Sequence, residues 1–235
     1  MTTTFAMITA RGGGSTFYRK NTYPLLGKPV IAWAIEACLR AQCVDQIFVW
    51  TEDKEIRSIA EKLGAHCLTR PKSMVHYHSG FHSAEEFNRN KYDQIQAIAG
   101  TQGDVHLSLN CNNLLIRPAT LDAMFDVLMD NPNLGRILGV KAVDPDLCLI
   151  NDKTGYLFPF WNDPDTKPVE YPPLFRAIGV NIAHRLRLEE GIRDTLHFPV
   201  SPEEGLDFQN EDDVALAEFY LMKRWGGRIE TGDSG

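Results

Sequence analysis

Cysteine is sparse and unpatterned in this chain: Cys38, Cys43, Cys67, Cys111 and Cys148 are five scattered residues with no C-x-x-C pair. That spacing suggests neither a zinc site nor a disulfide framework. Cys38, Cys67 and Cys148 stand among apolar neighbours and read as small core residues. Long apolar runs are lacking as well. No stretch of about 18 apolar residues occurs and no charged leader precedes an apolar one, so no membrane association is expected and the expected location is cytoplasmic. Cations are in the minority, 24 Lys and Arg against 31 Asp and Glu, for a formal charge of −7. Such a balance argues against a nucleic-acid-coating surface. An anionic ligand must therefore be met by cations gathered locally. No internal repeat is visible.

What is present is ample for a core: 235 residues, 43% of them hydrophobic, enough for one α/β domain over 1–235 with an excursion. The first half alternates regularly. Phe5–Thr9 is a short apolar run fit for a buried strand, and a glycine-rich loop from Ala10 to Arg19 follows. Val30, Ile31, Ala34, Ile35, Cys38 and Leu39 recur at helical spacing, then Gln46–Trp50 reads as a strand. A helix over Asp53–Leu63 with Gly64 as its stop, a strand at His66–Thr69, and a helix opened by a Ser83/Glu86 capping box and running to Ala99 come next. A fourth strand at Val105–Leu109 and a helix opened by Pro118, with Leu121, Phe125 and Leu128 on its core face, complete the series. Alternation of this kind implies an open, mostly parallel Rossmann-like α/β sheet with helices on both faces. Ligands in such sheets lie at the carboxyl ends of the strands, which directs attention to loops 10–21, 50–53, 70–82 and 110–117.

The second half changes character. Ile137–Val143 reads as a strand, Asn151–Gly155 as a turn followed by Tyr156–Phe160, Gly179–Ala183 as a returning strand and Asp212–Trp225 as the closing helix. Five prolines between Pro159 and Pro173 are too many for a helix or central strand, so about 144–178 is an extended excursion.

The loop Ala10-Arg11-Gly12-Gly13-Gly14-Ser15-Thr16-Phe17-Tyr18-Arg19-Lys20-Asn21 is the most informative segment. Amides freed from side-chain bulk can wrap a phosphate, and Arg11, Arg19 and Lys20 can neutralise it. The familiar fingerprints fail on spacing. A dinucleotide G-x-G-x-x-G needs glycine at 17, which is Phe17, and a Walker loop begun at Gly12 needs Gly-Lys where Phe17-Tyr18 stand. Taken alone, the loop is also compatible with a plain strand-to-helix turn carrying surface charges.

Asn21-Thr22-Tyr23-Pro24-Leu25-Leu26-Gly27-Lys28-Pro29 continues it, and here the sequence resembles the CMP–sugar-acid synthetases, the cytidylyltransferases for sialic, legionaminic, pseudaminic and related acids. Their A-R-x-G-S-K-G-I-P-x-K-N followed by N-x-x-P-L-x-G-K-P aligns without a gap. The resemblance recurs at Thr51–Ile56, Ala60–Ala65, Arg70-Pro71 and Leu206–Glu218. It implies transfer of CMP from CTP to a small acidic sugar of the sialic-acid kind, with pyrophosphate released and Mg²⁺ as cofactor, in a homodimer formed through the excursion. It also implies nucleotide contacts from Ala10, Arg11, Gly12, Gly13, Lys20, Asn21 and Arg70, and catalytic roles for Arg11, Lys20 and Asp207, the last also holding the metal. A helix-capping or hydrogen-bonding Asp207 is the alternative. Attack at an α-phosphorus needs chiefly cations and an in-line nucleophile, which suits these residue types.

Departures from that family are equally plain. Its motif lysine is Ser15 here, its second aspartate is Gln209, the Arg-Gln of its excursion is missing around Pro168-Val169, and its T-S-P segment is replaced by Asn110-Cys111-Asn112-Asn113. Asn110, Asn112 and Asn113 then become the candidate acceptor-binding residues, and a non-sugar acid acceptor or a catalytically weakened relative stays open. His76, His78 and His82 admit three readings: surface, acceptor loop or metal site. Asn88, Arg89, Asn90 and Lys91 either meet an acidic acceptor or form a solvated helix face, and Trp33 and Trp50 read as packing.

Overall fold

The computed structural model describes residues 2–13, 17–75, 84–143, 149–151, 157–159, 174–189, 191–192 and 194–224. Their elements run β1 (Thr4–Thr9), β2 (Pro24–Leu25), β3 (Lys28–Pro29), α1 (Val30–Arg40), β4 (Gln46–Thr51), α2 (Lys54–Lys62), β5 (His66–Thr69), α3 (Ala84–Ala99) and β6 (Val105–Asn110). There follow α4 (Pro118–Asp130), β7 (Arg136–Val143), β8 (Leu149–Asn151), β9 (Leu157–Pro159), β10 (Leu174–His184), α5 (Arg185–Glu189), β11 (Thr195–Pro199) and α6 (Asp212–Arg224). The histidines His76, His78 and His82, the motif position Ser15, the Ser83 cap and most of the proline-rich excursion lie outside the described residues.

Seven strands form one sheet in the order β11-β7-β10-β6-β1-β4-β5. All neighbours are parallel except β10, which runs antiparallel to both β6 and β7. The chain moves outward from β1 through β4 to β5, then returns to lay β6 on the other side of β1. The connections leaving β1 and β6 therefore diverge, and a crevice opens between them at the carboxyl end of the sheet.

β1 explains why its sequence is an unbroken apolar run. Successive side chains point to opposite faces, and both faces are covered. Ala6 and Ile8 join Ile47 and Val49 under α1, α2, α4 and α6, while Phe5 and Met7 join Phe48 and Trp50 against Phe87 and Ile95 of α3. Phe5 and Phe48 meet edge-on, with ring centroids 5.1 Å apart. Truncating a ring so enclosed costs about 3–5 kcal/mol. Trp33 and Trp50 are both buried, in agreement with the packing read from the sequence.

α2 is set by its cap. The Asp53 carboxylate accepts the amides of Glu55 and Ile56, both at 2.9 Å, and Ile56 and Ala60 bury the inner face. Burial alone would raise the Asp53 carboxyl, but the amide of Ile56, the Arg19 guanidinium and the amide of Glu55 together hold it below its ordinary value of 3.8. A carboxyl depressed in the folded state stabilises above its unfolded pKa, and that contribution is lost as pH falls below about 4. Asp53→Ala is expected to cost about 0.5–2 kcal/mol at pH 7. The gap between wild type and Asp53→Asn in urea midpoints should narrow from pH 7 to pH 3; equal midpoints for wild type and Asp53→Ala at pH 7 would refute the capping role.

Candidate functional site: the crevice between the first and sixth strands

The loop after β1 is pinned from below by the first residues after β4. Ala10 is buried and donates its N–H to the Trp50 carbonyl at 3.2 Å. The Gly12 N–H donates to Glu52 Oε1 at 2.9 Å. A Cβ on Gly12 would stand 2.2 Å from Asp53 Oδ2, so only glycine lets the backbone come this close. Asn21 is buried and donates its amide to the Arg11 carbonyl at 2.9 Å, which closes the loop on itself. The Asn21 Oδ1 is buried and has no partner among the described residues.

Two residues of the loop do something the sequence did not disclose. Phe17, the residue that breaks both glycine fingerprints, is buried with its ring 4.9 Å from Tyr23 and 5.9 Å from Phe208. It ties the loop to the segment before α6. Arg19, counted among the phosphate-neutralising cations, turns instead to the start of α2, where it pairs with Asp53 at 3.3 Å and with Glu55. The hydrogen bond to Asp53 raises its pKa further.

Across the crevice, the Lys20 ammonium donates to Gln209 Oε1 at 2.9 Å, and the Gln209 amide donates to Asp207 Oδ1 at 2.7 Å. The other Asp207 oxygen accepts from Arg176 at 3.0 Å. Burial lowers the Lys20 pKa, while the nearby Asp207 carboxylate pulls it back up. Fully buried Phe208 fixes this segment through its N–H to the Asn112 carbonyl at 3.0 Å, and Asp213 of α6 accepts the Gln209 backbone N–H at 2.7 Å.

Asn110, Asn112, Asn113, Lys141, Arg176, Asp207 and Gln209 line one cavity of about 150 Å³. The asparagines are not equivalent. Asn113 is buried and its Oδ1 accepts the Gly179 N–H at 2.9 Å. That contact sits where β10 slips register against β7 between Ala177 and Asn181. A Cβ on Gly179 would lie 2.4 Å from Asn110 Nδ2, so the glycine lets the irregular strand close over both asparagines.

Arg11 lies near enough to Lys20 and to Arg70 that its charge disfavours theirs. Arg70 is buried, and its donors are largely committed: Nε and Nη2 reach the Met74 carbonyl at 2.9 and 2.6 Å, and its guanidinium stacks 4.5 Å from the Trp50 ring centroid. Its first task is to hold the turn over 71–75. Lys141, Arg176 and Glu52 were missed in the sequence. Arg176 had no signal, because β10 starts five residues before the glycine–apolar stretch that marked it. Among the described residues no group of three or more His, Cys, Asp or Glu side chains could hold a metal ion. Asp207 thus offers a single carboxylate, a donor set that suits Mg²⁺ only when a phosphate-bearing ligand brings further oxygens.

A family model described as cytidylyltransferase matches residues 5–141. The N-acylneuraminate cytidylyltransferase of Escherichia coli is 36% identical over 70 residues, which is 30% of this chain and 17% of that protein. The pseudaminic acid cytidylyltransferase of Campylobacter jejuni is 44% identical over 59 residues, 25% of this chain and 25% of that protein. The matched stretches thus span a quarter or less of these relatives' own length. A solved CMP:2-keto-3-deoxy-manno-octonic acid synthetase complexed with CTP shares the fold, with a TM-score of 0.67 at 15% identity over 94% of this chain and 99% of that one.

The loop geometry separates two neighbouring glycines. A Cβ on Gly13 meets nothing within 4 Å, whereas one on Gly12 drives into the Asp53 carboxylate. Gly12→Ala is expected to lower stability by about 1–3 kcal/mol, and Gly13→Ala to leave the unfolding midpoint within about 0.5 kcal/mol of wild type. Equal midpoints for the two variants would show that the loop does not press on α2 as described.

Proposed function

Because the chain belongs to the cytidylyltransferase family, we propose that it transfers CMP from CTP to a small acidic, sugar-like substrate and releases pyrophosphate. The observation that carries this reading is the link from Lys20 through Gln209 to Asp207, which brings the glycine-rich loop and the segment before α6 together at one crevice. In the reaction an acceptor oxygen forms a bond to the α-phosphorus as the bond from that phosphorus to the bridging oxygen of the leaving pyrophosphate breaks. The protein's work is to position both partners and absorb charge.

Arg11 and Lys20 stand where a triphosphate along the loop would meet them. Gly12 has committed its N–H to Glu52, so its part is the close backbone approach. The orphaned Asn21 oxygen is an acceptor suited to a hydroxyl of the nucleotide sugar. Asp207 would hold Mg²⁺, and the Gln209 carbonyl, which now faces Lys20, could join it only by turning the amide over; a hard cation there would supply charge neutralisation at the phosphates. Arg176 and Gln209 keep Asp207 occupied in the free protein and must yield one oxygen for that role. Lys141 and Arg176 give the asparagine-lined cavity the positive charge that an acidic acceptor needs. A cytoplasmic homodimer joined through residues 144–178 belongs to the same proposal and rests on the resemblance.

A second reading keeps the chemistry and changes the acceptor to a compact non-sugar acid such as a phosphonate. The size of the cavity favours it: about 150 Å³, against about 300–1,000 Å³ for common ligand pockets. Pyrophosphate release from CTP, measured with a panel of sugar acids and phosphonates, distinguishes the two. CTP binding without turnover on any acid would point instead to a nucleotide-binding relative that has lost catalysis. Equal release from ATP would overturn the choice of nucleotide.

Arg11→Ala and Lys20→Ala are each expected to lower turnover by about 30- to 1,000-fold with the fold intact, the cost of one charge-assisted contact in the transition state. Asp207→Asn should abolish metal-dependent turnover, and Gln209→Asp should lower the Mg²⁺ concentration for half-maximal rate. Folded Asp207→Asn with an unchanged metal-dependent rate would remove Asp207 from the site.

A further inference from the structure

Trp50, near the end of β4, carries two cations from two other elements. Arg70 Cζ, just past β5, lies 4.5 Å from the indole centroid, and Lys91 Nζ, from α3, lies 5.6 Å from it. The indole itself is fixed, being buried with its N–H donated to Asn90 Oδ1 at 2.9 Å. Arg70 has spent donors on the carbonyls of Met74 and Val75. Lys91 forms no ion pair among the described residues. Burial pushes its ammonium down to about 8, and the neighbouring Arg70 pushes the same way. A half-buried lysine beside another cation has lost solvation that no carboxylate among the described residues returns, and the face of an indole returns only part of it.

We propose that Lys91, beside Arg70 on the Trp50 ring, is a phosphate-binding residue for the nucleotide. The proposal rests on the reading of the crevice as a CTP site. Position decides for phosphate over the acceptor's carboxylate. Arg70 and Lys91 stand at the β4–β5 side, whereas the cavity lined by Asn110, Lys141 and Asp207 lies on the β6–β10 side. Electrostatically, Lys20 feels Arg11, Arg11 is felt by Arg70, and Arg70 by Lys91, so the four cations form a chain across the carboxyl ends of β1, β4 and β5. A polyphosphate is long enough to meet several of them, and a single carboxylate is not.

The test compares wild type, Lys91→Met and Lys91→Arg by calorimetric titration with CTP, cytidine and a sugar acid. Methionine keeps a stem to pack on Trp50 and removes the charge. The expected result for Lys91→Met is CTP binding weakened by about 10- to 100-fold, with cytidine and sugar-acid binding unchanged and Lys91→Arg close to wild type. Equal weakening for cytidine would place Lys91 at the base, selective weakening for the sugar acid would place it at the acceptor, and unchanged CTP binding would make it packing; each overturns the proposal while leaving the CTP reading standing. Wild type that binds no CTP overturns both together. Should Lys91→Met not fold, acetylation of wild type at pH 8 with peptide mapping decides. Protection of Lys91 by CTP and not by cytidine supports the proposal, and equal labelling in both overturns it.

Discussion

The side-chain amide of Gln209 is held between opposite charges, its oxygen against the Lys20 ammonium and its nitrogen against the Asp207 carboxylate. Without such a bridge, a half-buried lysine at the mouth of the glycine-rich loop would lose solvation with little return. With it, one neutral group satisfies both ions and keeps them apart, so Lys20 is not consumed in a direct salt bridge, and Asp207 meets Arg176 with its other oxygen. That matters for ligand binding. Lys20 held by a neutral oxygen gives up less on meeting a phosphate than Lys20 paired with a carboxylate. The amide also fixes the spacing between loop and segment, which Phe17 reinforces by packing between Tyr23 and Phe208.

The same economy of charge runs through the loop. In a chain of net charge −7, the carboxylates nearest the crevice are turned to other partners. Glu52 accepts the Gly12 N–H, Asp53 caps α2 and pairs with Arg19, and Asp207 is shared by Gln209 and Arg176. Local cations thus dominate where an anion would lie, against the balance of the whole molecule.

Much of the fold was legible because β1, α1, β4, α2, α4 and β6 carry unbroken or periodic apolar patterns that the core uses directly. Asp53 and Gly64 bracketed α2 through capping chemistry, the one accepting its first amides and the other taking a positive φ just past its end. β11 was missed because its five residues are only partly covered at the sheet edge and show no clean alternation. β10 was read too short because its first residues, Phe175 and Arg176 among them, are exposed. At the site, sequence identified the loop and its cations but not their directions. Nothing in the order of residues tells that Arg19 turns to α2, that Arg70 supports a turn, or that Lys91 rests on Trp50. Asp207 came from resemblance, and its hold on Arg176 joins residues 31 positions apart that only the folded sheet brings together.

The most direct test of the account is a crystal structure of the chain with CTP and Mg²⁺. The triphosphate is expected along residues 10–21, with oxygens within hydrogen-bond reach of Arg11 and Lys20 and with Asp207 facing it across the crevice. A nucleotide seated instead in the groove of about 570 Å³ lined by Trp33, Arg40, Ile116 and Leu221, with the loop empty, would contradict it.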